Sequence, residues 1–449
     1  MSATRGKSMQ ARGLDALSLI VIVGILYAAT RVAPGRRDTA TVVGGLGFLL
    51  LAGTLTSQLL EMLRLPHLTG YLLAGVIAGP HALRLVDAVT VRQLAPVNTL
   101  ALALIALAGG AELSAAEVRR SAKSLTVNLL FQSVIVVVGV GGLFVLASPL
   151  IPFTRGLPLT SVVAIALLWG VLATARSPSA ALGILAQTRA RGPLASFSVA
   201  FVMLSDVGVL VLAAAGILLA HSLLDPSATL SMSSMYALGH ELVGSVSIGT
   251  TLGLMLSVYL RLHGKQLVVV LLALGFGATE VLHYLRFEPL LCFLTAGFVV
   301  RNLSKQGDKL AHAIEDMGST VYVVFFAIAG ASLAIPLLVA LWPVALLLAV
   351  ARAAITTGAG RLAGRVAGDD PMIRRWGWTT LIAQAGLTQG LANVLAREFP
   401  DFGEPLRALV FASVALNSVI GPILFKLALD RAHESREQSP SLPTIQESA

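Results

Sequence analysis

The sequence predicts an all-α polytopic membrane protein of about fourteen transmembrane helices, and three observations carry that prediction. Of the 449 residues, 56% are hydrophobic and only 12% are charged, whereas soluble domains carry about 25% charged residues. Apolar runs long enough to cross a bilayer, roughly 20 residues each, recur from Ala16 to Leu429 with no polar block large enough to form a separate domain. Lysine and arginine also collect in alternate loops, as alternating membrane orientation requires.

The spans follow in order. Residues 1–39 hold an extra N-terminal helix, Ala16 to Ala29, preceded by Arg5, Lys7 and Arg12. A signal peptide has the same layout, but no clear small-x-small cleavage site precedes Arg31, so a retained helix is the reading. Residues 40–430 form the transmembrane domain. Its spans run Ala40 to Met62, Pro66 to Ala82, Leu94 to Ala111, Ser124 to Ala147, Pro158 to Gln187 and Pro193 to Ala220. They continue Tyr236 to Leu260, Gln266 to Leu285, Pro289 to Asn302, Ala311 to Ile335, Pro336 to Ala367, Arg375 to Ala396 and Pro405 to Leu429. Residues 431–449 read as a short, polar, disordered tail.

One set of loops receives Arg64, Arg119, Arg120, Lys123, Arg189, Arg191, Arg261, Lys265, Arg301, Lys305, Lys309, Arg361, Arg365, Arg374 and Arg375, with the basic residues of both termini. The opposite set receives only Arg31, Arg36, Arg37, Arg84, Arg92, Arg155, Arg286, Arg397 and Arg407. Both termini are therefore expected in the cytoplasm, with the protein in the cell (inner) membrane. The net charge of +9 is thereby explained without nucleic acid. The single cysteine, Cys292, supports no disulfide or zinc framework.

Six spans, a spacer span and six more spans match the layout of an inverted repeat. The fifth span of each set carries helix-breaking or polar residues at its middle, Thr174-Ala-Arg-Ser-Pro-Ser179 and Gln384-Ala-Gly-Leu-Thr-Gln-Gly390. Broken helices at membrane depth are tolerated where they line a cavity, and their freed carbonyls coordinate ions. Pro178 and the surrounding hydroxyls open the first break; Gln384, Thr388 and Gln389 with two glycines mark the second. A simple proline kink is the competing reading for the first.

Ionisable groups inside spans are costly and mark ion paths or pair with one another. Asp206 sits near the centre of its span, between Val202 and Val211, with no basic residue in the neighbouring turns. A carboxylate withdrawn from water has its charged form disfavoured, so it holds a proton or a cation but not both. That exclusion is the chemistry of antiport. Ser205, Thr174 and Ser177 are the side chains expected to complete an oxygen shell around a transported Na⁺ or K⁺, which prefers oxygen ligands. Glu280 and Arg352, of opposite sign and similar depth, read as a structural interhelical pair. Arg176 has two readings, a counter-charge to Asp206 at the helix break or a side chain reaching a water-filled funnel. Gly75-x-x-x-Gly79 and Gly360-x-x-x-Gly364-x-x-x-Gly368 have the spacing for close helix packing.

Enzyme readings fail on the residues. His240-Glu241 begins like a zinc-protease motif, but Gly244 stands where its second histidine belongs, and no Gly-x-Ser-x-Gly elbow occurs. A transporter needing no cofactor is the expectation.

Several segments resemble the cation:proton antiporter superfamily, in particular its Kef-like and sodium/proton exchanger branches. They are Leu63 to Pro80, Gly109 to Leu113, Phe293 to Asn302, Phe325 to Leu333 and Asn417 to Lys426, in that order along the chain. The resemblance implies two crossing broken helices in a core domain, a scaffold domain that forms a homodimer, and an elevator-like movement of the ion site. It places Asp206 at the family's ion-binding carboxylate, with Ser205 where other branches have Asp, Asn or Gln, and so implies electroneutral one-for-one exchange. It puts Arg352 on an arginine that some branches keep on their eleventh core helix. The sequence departs from the family pattern at Ala175-Arg-Ser-Pro178, where a positive charge enters the first break. That departure keeps two alternatives open, an organic-anion transporter clamping its substrate with Arg176, and a non-transporting sensor with Asp206 locked to Arg176.

Overall fold

A computed structural model describes residues 39–61, 65–224, 232–262, 266–285, 287, 289–304 and 307–435; the expected N-terminal helix and the tail beyond 435 lie outside the described residues. Among the described residues there are helices and turns and no strand, as a chain in lipid requires when every backbone group must bond within its own segment. The helices are α1 (Thr39–Glu61), α2 (His67–Ala78), α3 (Ala88–Gln93), α4 (Ala95–Glu112), α5 (Ala115–Arg120) and α6 (Ala122–Ala147). They continue with α7 (Leu159–Ala173), α8 (Pro178–Thr188), α9 (Pro193–Leu224), α10 (Met232–Leu262), α11 (Leu267–Leu285), α12 (Pro289–Leu303) and α13 (Gly307–Ala331). The last are α14 (Ile335–Ala367), α15 (Pro371–Trp376), α16 (Gly386–Glu398) and α17 (Gly403–Arg431). Each described span expected from the sequence is present, and both interrupted spans are broken, the first into α7 and α8, the second into α15, a 3₁₀ turn at Gly377–Leu381 and α16.

The fold is inside-out relative to a soluble bundle. On α6, Leu130, Val134, Val138 and Leu146 form an exposed apolar stripe at helical spacing, and on α14 Val339, Trp342, Leu346 and Val350 form another. Asn128 and Gln132 of α6 are buried instead, bonded to the Asp369 carboxylate (2.9 Å) and the Thr356 carbonyl (3.0 Å). Lipid accepts the apolar stripes, and the protein interior keeps the polar groups.

Packing exposes the repeat. Helix α2, second span of the first set, packs on α13, third span of the second, while α4 and α12 repeat the exchange with the sets reversed. Each crossing rests on a reciprocal glycine pair. A Cβ on Gly75 would lie within 3.0 Å of the Ala327 carbonyl, and one on Gly330 would meet the Leu72 carbonyl. At the other crossing Gly110 faces the Leu294 carbonyl and Gly297 the Leu107 carbonyl in the same way. Backbone-to-backbone approach of this kind needs residues without a side chain. Gly297→Val is expected to lower the unfolding temperature of the purified protein sharply, because a backbone carbonyl cannot move aside. Gly142→Val, where the added carbon meets nothing within 4 Å, is expected to leave it unchanged.

Two further clusters build the core: α6, α7, α9, α14, α16 and α17 close around Phe144, Trp169 and Leu409, and α4, α10, α12 and α13 around Leu104, Phe293 and Val300. The flanks of the breaks divide between clusters: Leu172 and Ala173 belong to the first of these, and Ala180, Leu381 and Ala383 to a third that includes residues of α1, α2 and α9.

The tail begins with structure that its polar composition does not announce. Glu434 is buried and accepts from the Leu194 and Ala195 amides at 2.9 and 2.8 Å, while the Glu434 carbonyl accepts from Arg191 N–H at 3.1 Å. A carboxylate placed on the free amides of a helix N-terminus satisfies them and complements the dipole. Helix α9, which carries Asp206, is thus capped from the far end of the chain. Loss of such a cap costs about 1 kcal/mol, so Glu434→Ala is expected to lower thermal stability modestly and Glu434→Gln by less, read by thermal unfolding in detergent.

Candidate functional site

The first break begins where α7 runs out of helix at Thr174, whose hydroxyl donates back to the Val171 carbonyl at 2.6 Å. Ser177 then adopts extended backbone and caps α8, accepting from the Ala180 amide at 3.2 Å, with Pro178 at the first helical position. A hydroxyl N-cap followed by proline starts a helix. The kink reading therefore gives way to a true break, with four residues between two helices.

At the second break the 3₁₀ turn ends at Leu381 and α16 starts at Gly386. Gln384 lies between them, its side-chain amide donating to the Leu172 carbonyl of α7 at 3.0 Å. Asn417 of α17 donates to the Gln384 side-chain oxygen at 2.7 Å, and Ser418 to its carbonyl at 2.7 Å. The two breaks are thus laced together.

Arg352 completes the crossing. From mid-α14 its Nε donates to the Ala173 carbonyl (2.8 Å) and Nη2 to the Ala175 carbonyl (3.1 Å), both at the first break. Nη1 reaches the Ile382 carbonyl (2.9 Å) and Nη2 the Leu381 carbonyl (2.9 Å), both at the second. One planar guanidinium with five donors thereby satisfies carbonyls that two interrupted helices cannot satisfy themselves. The expected Glu280–Arg352 pair is not formed. Glu280 is exposed on α11, α11 packs on α4 and α13 while α14 packs on α6 and α17, and the Arg352 head is engaged with backbone.

Asp206 is buried on α9, 8% exposed, which rules out a lipid-facing position. Arg176, from the first break, is 3% exposed, so the reading in which it reaches a water-filled funnel does not hold. It attracts Asp206 electrostatically and repels Arg352, and its guanidinium lies 5.1 Å from the centre of the Phe201 ring, within cation–π range. Ser205 is fully buried beside Asp206 in sequence and donates to the Val202 carbonyl at 2.7 Å. Ser205 and Thr174 donate their hydroxyl hydrogens to carbonyls of their own helices and Ser177 caps α8, so these oxygens keep lone-pair capacity. Thr388 is buried on α16 and Gln389 half-buried. No cluster of three or more His, Cys, Asp or Glu side chains occurs among the described residues.

In the sequence Asn417 and Ser418 stand out only as part of a family-like segment, with no role at the breaks, and nothing there marks the Ser198–Thr380 hydroxyl link of 2.8 Å between α9 and the 3₁₀ turn. Polar residues inside α17, a span otherwise apolar, were the available signal.

Residues 46–430 match the family model for the transmembrane sodium/hydrogen exchanger. Among solved structures, the sodium proton antiporter MjNhaP1 from Methanocaldococcus jannaschii at pH 8 is similar in fold, with a TM-score of 0.61 at 17% identity, covering 87% of this chain and 96% of that one. Comparison with curated proteins gave no match.

Proposed function

We propose, from the premise that this chain belongs to the sodium/hydrogen exchanger family, that it exchanges a monovalent cation, Na⁺ or K⁺, for H⁺ at Asp206 by alternating access. Multi-pass membrane insertion and cation/proton antiport are the family's properties. The particular site rests on one observation, a buried carboxylate at mid-span of α9 with Arg176 of the first break as its electrostatic partner.

In this mechanism Asp206 takes a proton from one side of the membrane, the helices around the crossing move as a unit, and the proton leaves as a cation enters. Mutual exclusion on one carboxylate supplies the coupling. Arg176 compensates the bare carboxylate during exchange and rests on the Phe201 face once a proton or cation has taken its place. Ser205, Thr174, Ser177 and break carbonyls contribute oxygens to the cation. A single carboxylate exchanging one H⁺ for one cation moves no net charge, so transport is electroneutral. The assembly is a homodimer with both termini in the cytoplasm of a cell-membrane protein.

Proteoliposome flux tests the site. Cation-dependent proton movement is expected in the wild type, unchanged by a clamped membrane potential, and lost in Asp206→Asn. Undiminished flux in Asp206→Asn overturns the assignment.

A further inference from the structure

The inverted repeat makes α8 and α16 counterparts, each the half-helix that follows a break and runs from the crossing toward one surface of the membrane. They are not equally covered. Helix α8 is enclosed by α2, α4, α9, α13 and α17, and its residues Pro178 to Ile184 are all buried. Helix α16 packs chiefly on α17 and α7, and a Cβ added at Gly386 or Gly390 would meet nothing within 4 Å. Its open side carries Gly386, Gln389, Gly390, Asn393, Val394 and Arg397, all half-buried or exposed. The lipid-facing stripes of α6 and α14 are leucine, valine and tryptophan, whereas this face offers amides, a guanidinium and bare backbone around one valine. Such a surface at membrane depth is tolerated where it lines a water-filled space.

The closure over α8 is built from named contacts with helices that do not carry the breaks. Leu182 lies against α4, its Cδ1 2.5 Å from where a Cβ would stand on Gly109. A Cβ on Gly183 would lie 2.7 Å from Leu68 of α2 and 3.3 Å from the Phe326 ring of α13. Further along α8, Gln187 Oε1 accepts the backbone N–H of His67, first residue of α2, at 3.0 Å. Pro66 gives α2 no side-chain cap, so Gln187 supplies an acceptor that the free amides at that helix start require. This bond and the Leu182 and Gly183 contacts must part before the crossing can open toward the side to which α8 runs, the side assigned to the cytoplasm. We propose that α8 is the inner gate of the exchanger, shut in this structure with Gln187 as its latch on α2, while α16 lines the open route to the opposite side. The gate presupposes alternating access at Asp206, and it adds which face is closed and what holds it closed.

Cysteine labelling of the full-length protein in detergent by a charged, water-soluble maleimide tests the gate. The native Cys292 is fully buried and gives the blank rate. Gly390→Cys is expected to label rapidly and Leu182→Cys slowly. Adding Gln187→Ala to Leu182→Cys is expected to speed its labelling about fivefold, the shift that loss of one hydrogen bond gives a two-state balance. Adding Gln187→Glu is expected to slow it, because a carboxylate keeps the acceptor and complements the positive start of α2. Blank-rate labelling of Gly390→Cys, labelling of Leu182→Cys as fast as Gly390→Cys, or no response to Gln187→Ala overturns the gate. Should the Gln187→Ala protein fail to fold, Gln187→Glu decides: slower labelling at Leu182→Cys upholds the latch, and an equal or faster rate refutes it. Labelling reads access and not transport, so undiminished flux in Asp206→Asn would leave these rates unchanged, and rapid labelling of Leu182→Cys would remove the gate while leaving Asp206 as the exchange site.

Discussion

Arg352→Met is expected to abolish recovery of folded protein. The substitution keeps much of the side-chain volume but strips four donors from the carbonyls of Ala173, Ala175, Leu381 and Ile382. No water-filled loop surrounds these groups, since Arg352 is 4% exposed. At about 1–3 kcal/mol for each carbonyl left unbonded, the loss is comparable with the ~5–15 kcal/mol that holds a typical domain together. Arg352→Lys is expected to rescue little. An ammonium is a point charge with three donors, and it cannot span two breaks as a planar fork does. Monodispersity on size exclusion and thermal unfolding read the result. A monodisperse Arg352→Met protein of wild-type stability would show that the crossing is held by something other than this arginine.

The second large effect is expected at Arg176. A guanidinium beside Asp206 opposes an arriving cation, and two like charges 4 Å apart repel by about 4 kcal/mol at an effective dielectric constant near 20. In Arg176→Gln, measured at alkaline pH where protons compete least, the apparent KM for the transported cation is expected to fall about tenfold or more. Thermal stability is expected to drop in cation-free buffer, because Asp206 has then lost a compensating charge, and to recover on adding the cation. A rise in KM or complete loss of exchange would instead make Arg176 a positioning residue. Thermal stabilisation of the wild type by added organic carboxylates, lost in the same variant, would favour the organic-anion reading.

Much of this was legible in the sequence because membranes impose simple rules. Spans such as 193–220 and 336–367 are readable since lipid demands about 20 apolar residues in a row, and α9 and α14 were found where those runs lie. Asp206 stands out for the same reason, as one acid in an apolar span. The breaks were readable from Pro178 and Gln384, though only the folded structure distinguishes a capped new helix at Ser177 from a kink. The partner of Arg352 was not readable. Pairing by sign and depth led to Glu280, whereas interrupted helices offer backbone carbonyls that are equally good acceptors and leave no trace in the sequence. Glu434 was hidden likewise, a polar residue in a polar tail whose value comes from the helix N-terminus it meets.

The proposed exchange requires proton and cation to exclude one another at Asp206. Addition of Na⁺ or K⁺ to purified, weakly buffered protein, with released protons counted by a pH dye, measures that exclusion without a membrane. About one proton per chain is predicted from the wild type and none from Asp206→Asn. Cation binding without proton release, or the same release from Asp206→Asn, would contradict it.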